Sequence, residues 1–264
     1  MNFDLTGKRA LVCGASGGIG RACAMGLASL GASVTLAARD EGKLKDAVSA
    51  LSKPRGDKQQ HDYWVVDLSK SADVKQRIGT LLADGRSYHI LINNTGGPPP
   101  SRAIDTAPEA FAAGLESLLT TPHVLVQALA PAMTAARYGR IINITSTSVK
   151  QPIPNLAVSN AIRAATANWA KNLSQELAPN GITVNNVLPG YTDTERLNQL
   201  FTNRATKTNS TIEKVKADVI ASIPAGRLGA AEEIAAAVAF LASPAAAYIN
   251  GINLPVDGGR LATL

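Results

Sequence analysis

The chain has 264 residues, 45% of them apolar, and a formal net charge of +6, which suits one α/β domain with a sizeable core. Aromatics are 4% and no Lys- or Arg-rich block occurs, which argues against nucleic acid as a partner. No apolar run is long enough to span a bilayer, residues 1–8 carry no apolar signal core, and the two cysteines, Cys13 and Cys23, make neither a disulfide framework nor a metal set, so a cytoplasmic protein with no membrane partner and no metal is expected.

Residues 10–13 form a short apolar run of strand length. Gly14-Ala15-Ser16-Gly17-Gly18-Ile19-Gly20 follows. Then Ile19, Ala22, Cys23, Gly26, Leu27 and Leu30 fall on one helical face, and Gly31 stands where a left-handed cap residue ends a helix. A second strand is expected at 34–38. The order strand, glycine loop, helix, strand brings backbone N–H groups and the positive end of a helix to one place, which suits a pyrophosphate. The second strand ends Ala38-Arg39-Asp40. A carboxylate at that tip would accept from a ribose 2′-hydroxyl, whereas Arg39 can pair with a 2′-phosphate, and Asp40 is placed to cap the next helix.

Further strands are expected at 63–66, 89–93, 140–145, 182–188 and 252–256, and helices at 43–51, 74–82, 109–136, 156–177 and 231–241. Pro122 and Pro131 should bend or divide the helix at 109–136, and Pro179-Asn180-Gly181 should stop the one before it. This alternation predicts a single-domain α/β fold. It would be a Rossmann-type, doubly wound parallel sheet of about seven strands with helices on both faces, and ligands beyond the carboxyl ends of the strands. Two segments read as irregular. Residues 94–100 are stiffened by three prolines. Residues 192–224 are polar, with Arg196, Arg204, Lys207, Lys214 and Lys216, and form either a lid over the site or a solvated helical flap.

Taken together, these motifs resemble the short-chain dehydrogenase/reductase family over nearly the whole chain. Gly14, Ser16, Gly17, Gly18, Ile19 and Gly20 look like its nucleotide loop, with Cys13 where threonine is usual. Asp67 and Leu68 stand where the family holds adenine. Asn93-Asn94-Thr95-Gly96 looks like its Asn-Asn-Ala-Gly motif, Pro189-Gly190-Tyr191-Thr192-Asp193-Thr194 like its nicotinamide segment, and Val256-Asp257-Gly258-Gly259 like its C-terminal signature. The resemblance implies cofactor contacts from Asn94, Thr95, Gly96, Pro189, Gly190, Thr192 and Thr194. With Arg39 it implies NADP(H) in preference to NAD(H), and it implies a homo-oligomer, dimer or tetramer.

The family protonates its substrate oxygen with a tyrosine, helped by a lysine one turn later, a serine and an asparagine. Ser146 takes the serine position. In the register set by residues 156–161, Leu156 stands for the tyrosine and Asn160 for the lysine, and Leu118 stands for the asparagine. Leucine cannot donate a proton. Candidate substitutes are Tyr191, Lys150 or an ordered water. Arg163, on the face expected for Leu156 and Asn160, could supply a cation or bind an anionic substrate, but a guanidinium is not an acid. Asn155 could orient a ligand oxygen, Leu118 and Leu156 would give the site an apolar floor, and His123 reads as structural. The expected function is an NADP(H)-dependent oxidoreductase of a carbonyl/alcohol small molecule, 3-oxoacyl-reductase-like, with an atypical active site. The alternative is a catalytically silent NADP-binding homologue acting as a sensor or supporting subunit.

Overall fold

A computed structural model describes residues 1–51 and 59–263. Among them, seven parallel strands form one sheet in the order β3-β2-β1-β4-β5-β6-β7. These are β1 (Arg9–Cys13), β2 (Ser33–Ala38), β3 (His61–Val65), β4 (Ile90–Asn93), β5 (Gly139–Ile144), β6 (Ile182–Pro189) and β7 (Asn253–Val256). Each expected strand is present, with ends displaced by one or two residues.

The sheet is apolar on both faces, and the period of two sorts each strand between two cores. Ala10, Val12, Ile90, Ile92 and Ile142 enter one core with Leu27 of α1 (Gly18–Ser29) and Val238 and Leu241 of α9 (Ala231–Ala242). Leu11, Cys13, Leu91 and Ile141 enter the other. There they meet Leu125, Leu129 and Met133 of α5 (Thr121–Ala135) and Ala170 and Leu173 of α6 (Ala157–Leu177). Strand order reverses at β1 and β4, which opens a crevice beyond their carboxyl ends.

The helices differ from expectation in three places. α2 (Glu41–Ser49) begins earlier than expected because Asp40 caps it, its carboxylate accepting from Lys43 N at 3.0 Å; α3 (Ser71–Leu81) likewise starts early. The helix expected at 109–136 is broken into α4 (Pro108–Leu115), a π-helical stretch (Glu116–Thr120) and α5. Pro122 falls in the first turn of α5, where its missing N–H costs nothing, and α5 runs on past Pro131. The polar segment 192–224 is a helical hairpin, α7 (Glu195–Lys207) and α8 (Ile212–Ala221), with its own apolar seam of Leu197, Phe201, Ala205, Val215, Val219 and Ile223. No helix among the described residues is long and apolar enough to cross a membrane.

Four asparagines make a ladder near the carboxyl end of the sheet. Asn93 Nδ2 donates to Asn143 Oδ1 at 2.8 Å, Asn143 Nδ2 to Asn186 Oδ1 at 2.9 Å, and Asn186 Nδ2 to Asn253 Oδ1 at 2.8 Å. They sit in register on β4, β5, β6 and β7. Among the described residues, Asn93 Oδ1 at the end of the ladder has no partner.

Cys13 and Cys23 are free and buried, and burial pushes each thiol up to about 12. The folded protein should therefore be inert to a disulfide reagent at pH 8, with both thiols titrating only after denaturation. Fast reaction of either thiol in the native state would contradict this burial.

Candidate active site

The turn from β1 into α1 divides its glycines by role. Gly14 (φ +60°) lies so close to Asn94 O that a Cβ would collide, and a Cβ on Gly20 would strike Gly14 O. These two hold the loop tight. A Cβ on Gly17 would meet nothing within 4 Å, and one on Gly18 (φ +52°) only the Thr194 methyl at 3.4 Å. Gly17 and Gly18 thus present bare backbone at the start of α1, a helix with no side-chain cap and no acidic residue in its first turn. Its first N–H groups and positive end are available to an anion.

Beyond the loop lies a cavity of about 1090 Å³ lined by Gly14, Ser16, Arg39, Asp67, Leu68 and Thr95, among others. An extended dinucleotide fits these walls. The Gly17–Gly18 backbone would hold the pyrophosphate, Asp67 and Leu68 the adenine side, and Arg39 at the tip of β2 a phosphate on the ribose. Partial burial works against ionisation of Asp67. Hydrogen bonds from Ser69 Oγ (2.7 Å) and Ser69 N (3.0 Å), with the charges of Arg39 and Lys70, nevertheless hold its carboxyl below the usual range.

Other expected cofactor residues prove partly structural. Asn94 Nδ2 donates to the Cys13 and Gly14 carbonyls at 3.2 and 3.3 Å and so ties the loop after β4 to the glycine loop. Thr95 donates to Ser117 O at 3.4 Å, while Gly96 is open. Gly190 packs where a Cβ would lie 2.7 Å from Asp257 Cα, and its N–H reaches Val256 O. So the C-terminal signature supports the Pro189-Gly190 turn. Thr192 donates to Gly190 O, and Thr194 caps α7 by accepting from Leu197 N at 3.3 Å. Ile19 looks into a second cavity of about 210 Å³ with Ser146, Tyr191 and Arg196.

Ser146 stands just past β5, where its Oγ accepts from Ser148 N at 3.1 Å. Its own proton is left free to donate. Of the expected substitute donors, Tyr191 lines this cavity with its ring under the Arg260 guanidinium (4.7 Å), whereas Lys150 lies outside the lining. Asn155 is exposed with φ +61° and does not line either cavity.

The region expected to replace the tyrosine and lysine is arranged differently from the sequence reading. Leu156 stands before α6 and bridges to Ser101, while Leu118 is buried against Val158 and Ile162, so the two leucines do not form one floor. Asn160 is spent on the preceding loop: its Nδ2 donates to Ile153 O at 2.9 Å and its Oδ1 accepts from Ile153 N at 3.3 Å. Arg163 pairs instead with Ser159, a residue not singled out in the sequence, its Nε donating to Ser159 Oγ at 3.2 Å. Arg163 Nη1 donates to the carbonyls of Ile144 (2.9 Å) and Thr145 (2.8 Å). Burial lowers the Arg163 pKa to about 10, and the charge of Arg196 adds to this. The signal in the sequence was a Ser and an Arg four residues apart on one helix. His123 is structural as expected, accepting from Trp169 Nε1 at 3.3 Å.

Arg196 reaches from α7 across the crevice. Its Nη2 donates to Gly97 O at 2.6 Å and Pro98 O at 3.2 Å, and its side chain borders both cavities.

The sequence model of the family described as Enoyl-(Acyl carrier protein) reductase matches residues 14–260. The chain is 34% identical over 259 residues to the 3-oxoacyl-[acyl-carrier-protein] reductase FabG of Rickettsia felis, covering 98% of this chain and 99% of that one. It is 36% identical over 262 residues to FabG of Escherichia coli, covering 98% of each. Among solved structures it superposes on L-sorbose reductase from Gluconobacter frateurii complexed with NADPH and L-sorbose (TM-score 0.92, 28% identity, 100% of both chains). It also superposes on a gluconate 5-dehydrogenase from Burkholderia cenocepacia in complex with NADP and tartrate (TM-score 0.86, 31% identity, 100% of this chain and 98% of that one).

Proposed function

Because the chain belongs to the short-chain dehydrogenase/reductase family, we propose that it is an oxidoreductase that uses NADP(H) in preference to NAD(H) and interconverts a carbonyl with an alcohol. The observation that carries this reading is the crevice at the strand-order reversal, with the bare Gly17–Gly18 backbone at one side and Arg39 at the tip of β2. Bound there, a nicotinamide supplies or takes up hydride. The residues of the chain bind and orient. Ser146 offers a hydroxyl proton to a substrate oxygen, Tyr191 and Ile153 shape the cavity around it, and the α7–α8 hairpin closes over the crevice as a lid. The similarity to 3-oxoacyl reductases makes a 3-oxoacyl thioester the first substrate to try, and the ketose and gluconate enzymes among the structural neighbours make sugar ketones the second.

The preference for NADP(H) rests on Arg39 together with the engagement of Asp40 as a helix cap, which leaves the arginine as the polar group at the tip. Arg39→Ala is expected to weaken NADPH binding by about 10- to 100-fold, the worth of a charge-assisted hydrogen bond or pair, and to leave NADH binding nearly unchanged. Fluorescence titration with both nucleotides checks this. Equal losses for the two would show that Arg39 does not read the 2′-phosphate.

The wider experiment is NADPH and NADH titration followed by turnover assays with 3-oxoacyl thioesters and ketoses. Binding with turnover supports the oxidoreductase. Binding without turnover favours the silent sensor or supporting subunit, a reading with the burial of Leu118 in an apolar cluster in its favour. The same reading includes assembly as a dimer or tetramer, and a monomer in sedimentation at micromolar concentration would remove that part of it.

A further inference from the structure

The cavity of about 210 Å³ beside Ser146 has two arginines in its wall, Arg196 from α7 and Arg260 from the C-terminal segment, and no aspartate or glutamate. Among the described residues neither arginine has a carboxylate partner. Arg260 Nε is buried and has no hydrogen-bond partner among them. Its guanidinium lies over the Tyr191 ring, 4.7 Å from the centroid, which fixes the head without using its donors. Asp257, the nearest acidic residue along the chain, is taken up by Gly259 N at 3.0 Å and Leu261 N at 2.8 Å. Arg196 is engaged through Nη2 alone, which donates to Gly97 O and Pro98 O. Its Nε and Nη1 make no hydrogen bond among the described residues.

A cavity wall with two unneutralised guanidinium groups focuses a positive field on whatever enters. The planar fork of an arginine matches a carboxylate through two parallel hydrogen bonds. A buried donor left without a partner is costly, and an arriving anion removes that cost. The nucleotide's pyrophosphate already has its place at the bare Gly17–Gly18 backbone, so the anion in question is a second one.

We propose that Arg196 and Arg260 bind the carboxylate of the substrate, which makes the substrate an oxo acid or the corresponding hydroxy acid. This rests on the oxidoreductase reading above and narrows its substrate class. The carbonyl or hydroxyl to be converted lies at Ser146, whose proton is free to donate. The carboxylate lies toward the two arginines in the same cavity. An uncharged ketone of the same shape leaves both guanidinium groups unpaired, so the site discriminates against it.

The test measures binding at pH 7.5 to the NADP+ complex, in which an oxo compound cannot be reduced. Calorimetry compares straight-chain oxo acids of four to six carbons with their methyl esters, and a hexulosonic acid with the corresponding ketose. Each acid should bind about 10- to 100-fold tighter than its uncharged counterpart, the worth of charge-assisted hydrogen bonds. Arg260→Gln and Arg196→Gln should each remove about 10-fold of that preference, with the Kd values of the ester and of NADP+ within about twofold of wild type. Arg260→Lys keeps the charge and should keep part of the preference. Equal affinity for acid and ester, or binding of neither, overturns the proposal. So does a loss in the Gln variants that falls equally on acid and ester, as for a merely structural role, or on NADP+, as for arginines that serve the nucleotide. Preferential binding of acids with no turnover when NADPH is supplied leaves the carboxylate site standing and removes the oxidoreductase reading. Failure of the wild type to bind either nucleotide strikes that reading and the proposal with it.

Discussion

Gly20→Ala is expected to abolish dinucleotide binding and to destabilise the fold by about 2–3 kcal/mol, the usual cost of forcing atoms into a filled space. The new methyl would run into the backbone of Gly14, with Gly14 C at 2.7 Å, and into Asn94 Nδ2 at 2.8 Å. Asn94 is the residue that ties the loop after β4 to the carbonyls of Cys13 and Gly14. Relief therefore requires moving the glycine loop or releasing that tie, and either displaces the N–H groups at the start of α1. Gly17→Ala separates binding from folding. Gly17 is extended (φ −175°) with open space around it, so its methyl should leave the melting temperature near wild type while standing where a phosphate must approach. NADPH titration and thermal melts of both variants check the pair. Normal binding by Gly20→Ala would show that this loop does not cradle the nucleotide.

Asn143→Leu is expected to cost about 2–5 kcal/mol. Asn143 is a middle rung of the ladder, and removing its amide strands two buried partners, Asn93 Nδ2 and Asn186 Oδ1, at about 1–3 kcal/mol each. Asn143→Asp adds a dependence on pH. Its carboxylate can accept from Asn93, but it faces the Asn186 carbonyl with no proton to offer until it is protonated. Burial raises the pKa of such a group in the folded state above its unfolded value of about 3.9. The protein then carries its full stability below the unfolded value and loses stability as pH rises above it, by up to about 1.4 kcal/mol per unit until the folded value is passed. Urea midpoints at pH 7.5 and 4.5 should therefore show the deficit against wild type narrowing in acid. A deficit that ignores pH would mean the ladder does not hold position 143 as described.

The parts of this protein legible in its sequence are those set by neighbours along the chain. Gly14 to Gly20, the apolar face from Ile19 to Leu30, Asp40 as a cap and the alternation of strands with helices all depend on local spacing, and each is found where expected. What was not legible depends on partners distant in sequence. The break expected at Pro122 falls just before it, but its form, a π-helical stretch over Glu116–Thr120, is not written in local spacing. The ladder asks which of Asn185 and Asn186 on β6 faces Asn143 on β5, a matter of register that no single strand encodes. The surroundings of α6 depend on distant partners in the same way. The resemblance over residues 156–161 sets Leu156 and Asn160 at the tyrosine and lysine positions, and spacing along the helix does not say what either side chain meets. The structure gives Asn160 to Ile153 and brings Arg163 to carbonyls 18 and 19 residues back along the chain.

The strand order has a consequence for how the chain is made. Read from the N-terminus, β2 joins one side of β1 and β3 extends it. β4 then joins the other side, and β5, β6 and β7 each add to the edge left by the strand before. No strand ever has to slip between two already paired, so a chain emerging from the ribosome can lay the sheet down rim by rim. The helices do not follow that schedule. α1, which opens the nucleotide loop, packs its Gly26 beside Ala235 and Ala239 of α9, so the first helix synthesised waits for the last to cover it. A ribosome-bound chain stalled before residue 231 would hold the paired strands yet leave α1 bare on that side, and its nucleotide loop would become firm only as synthesis ends.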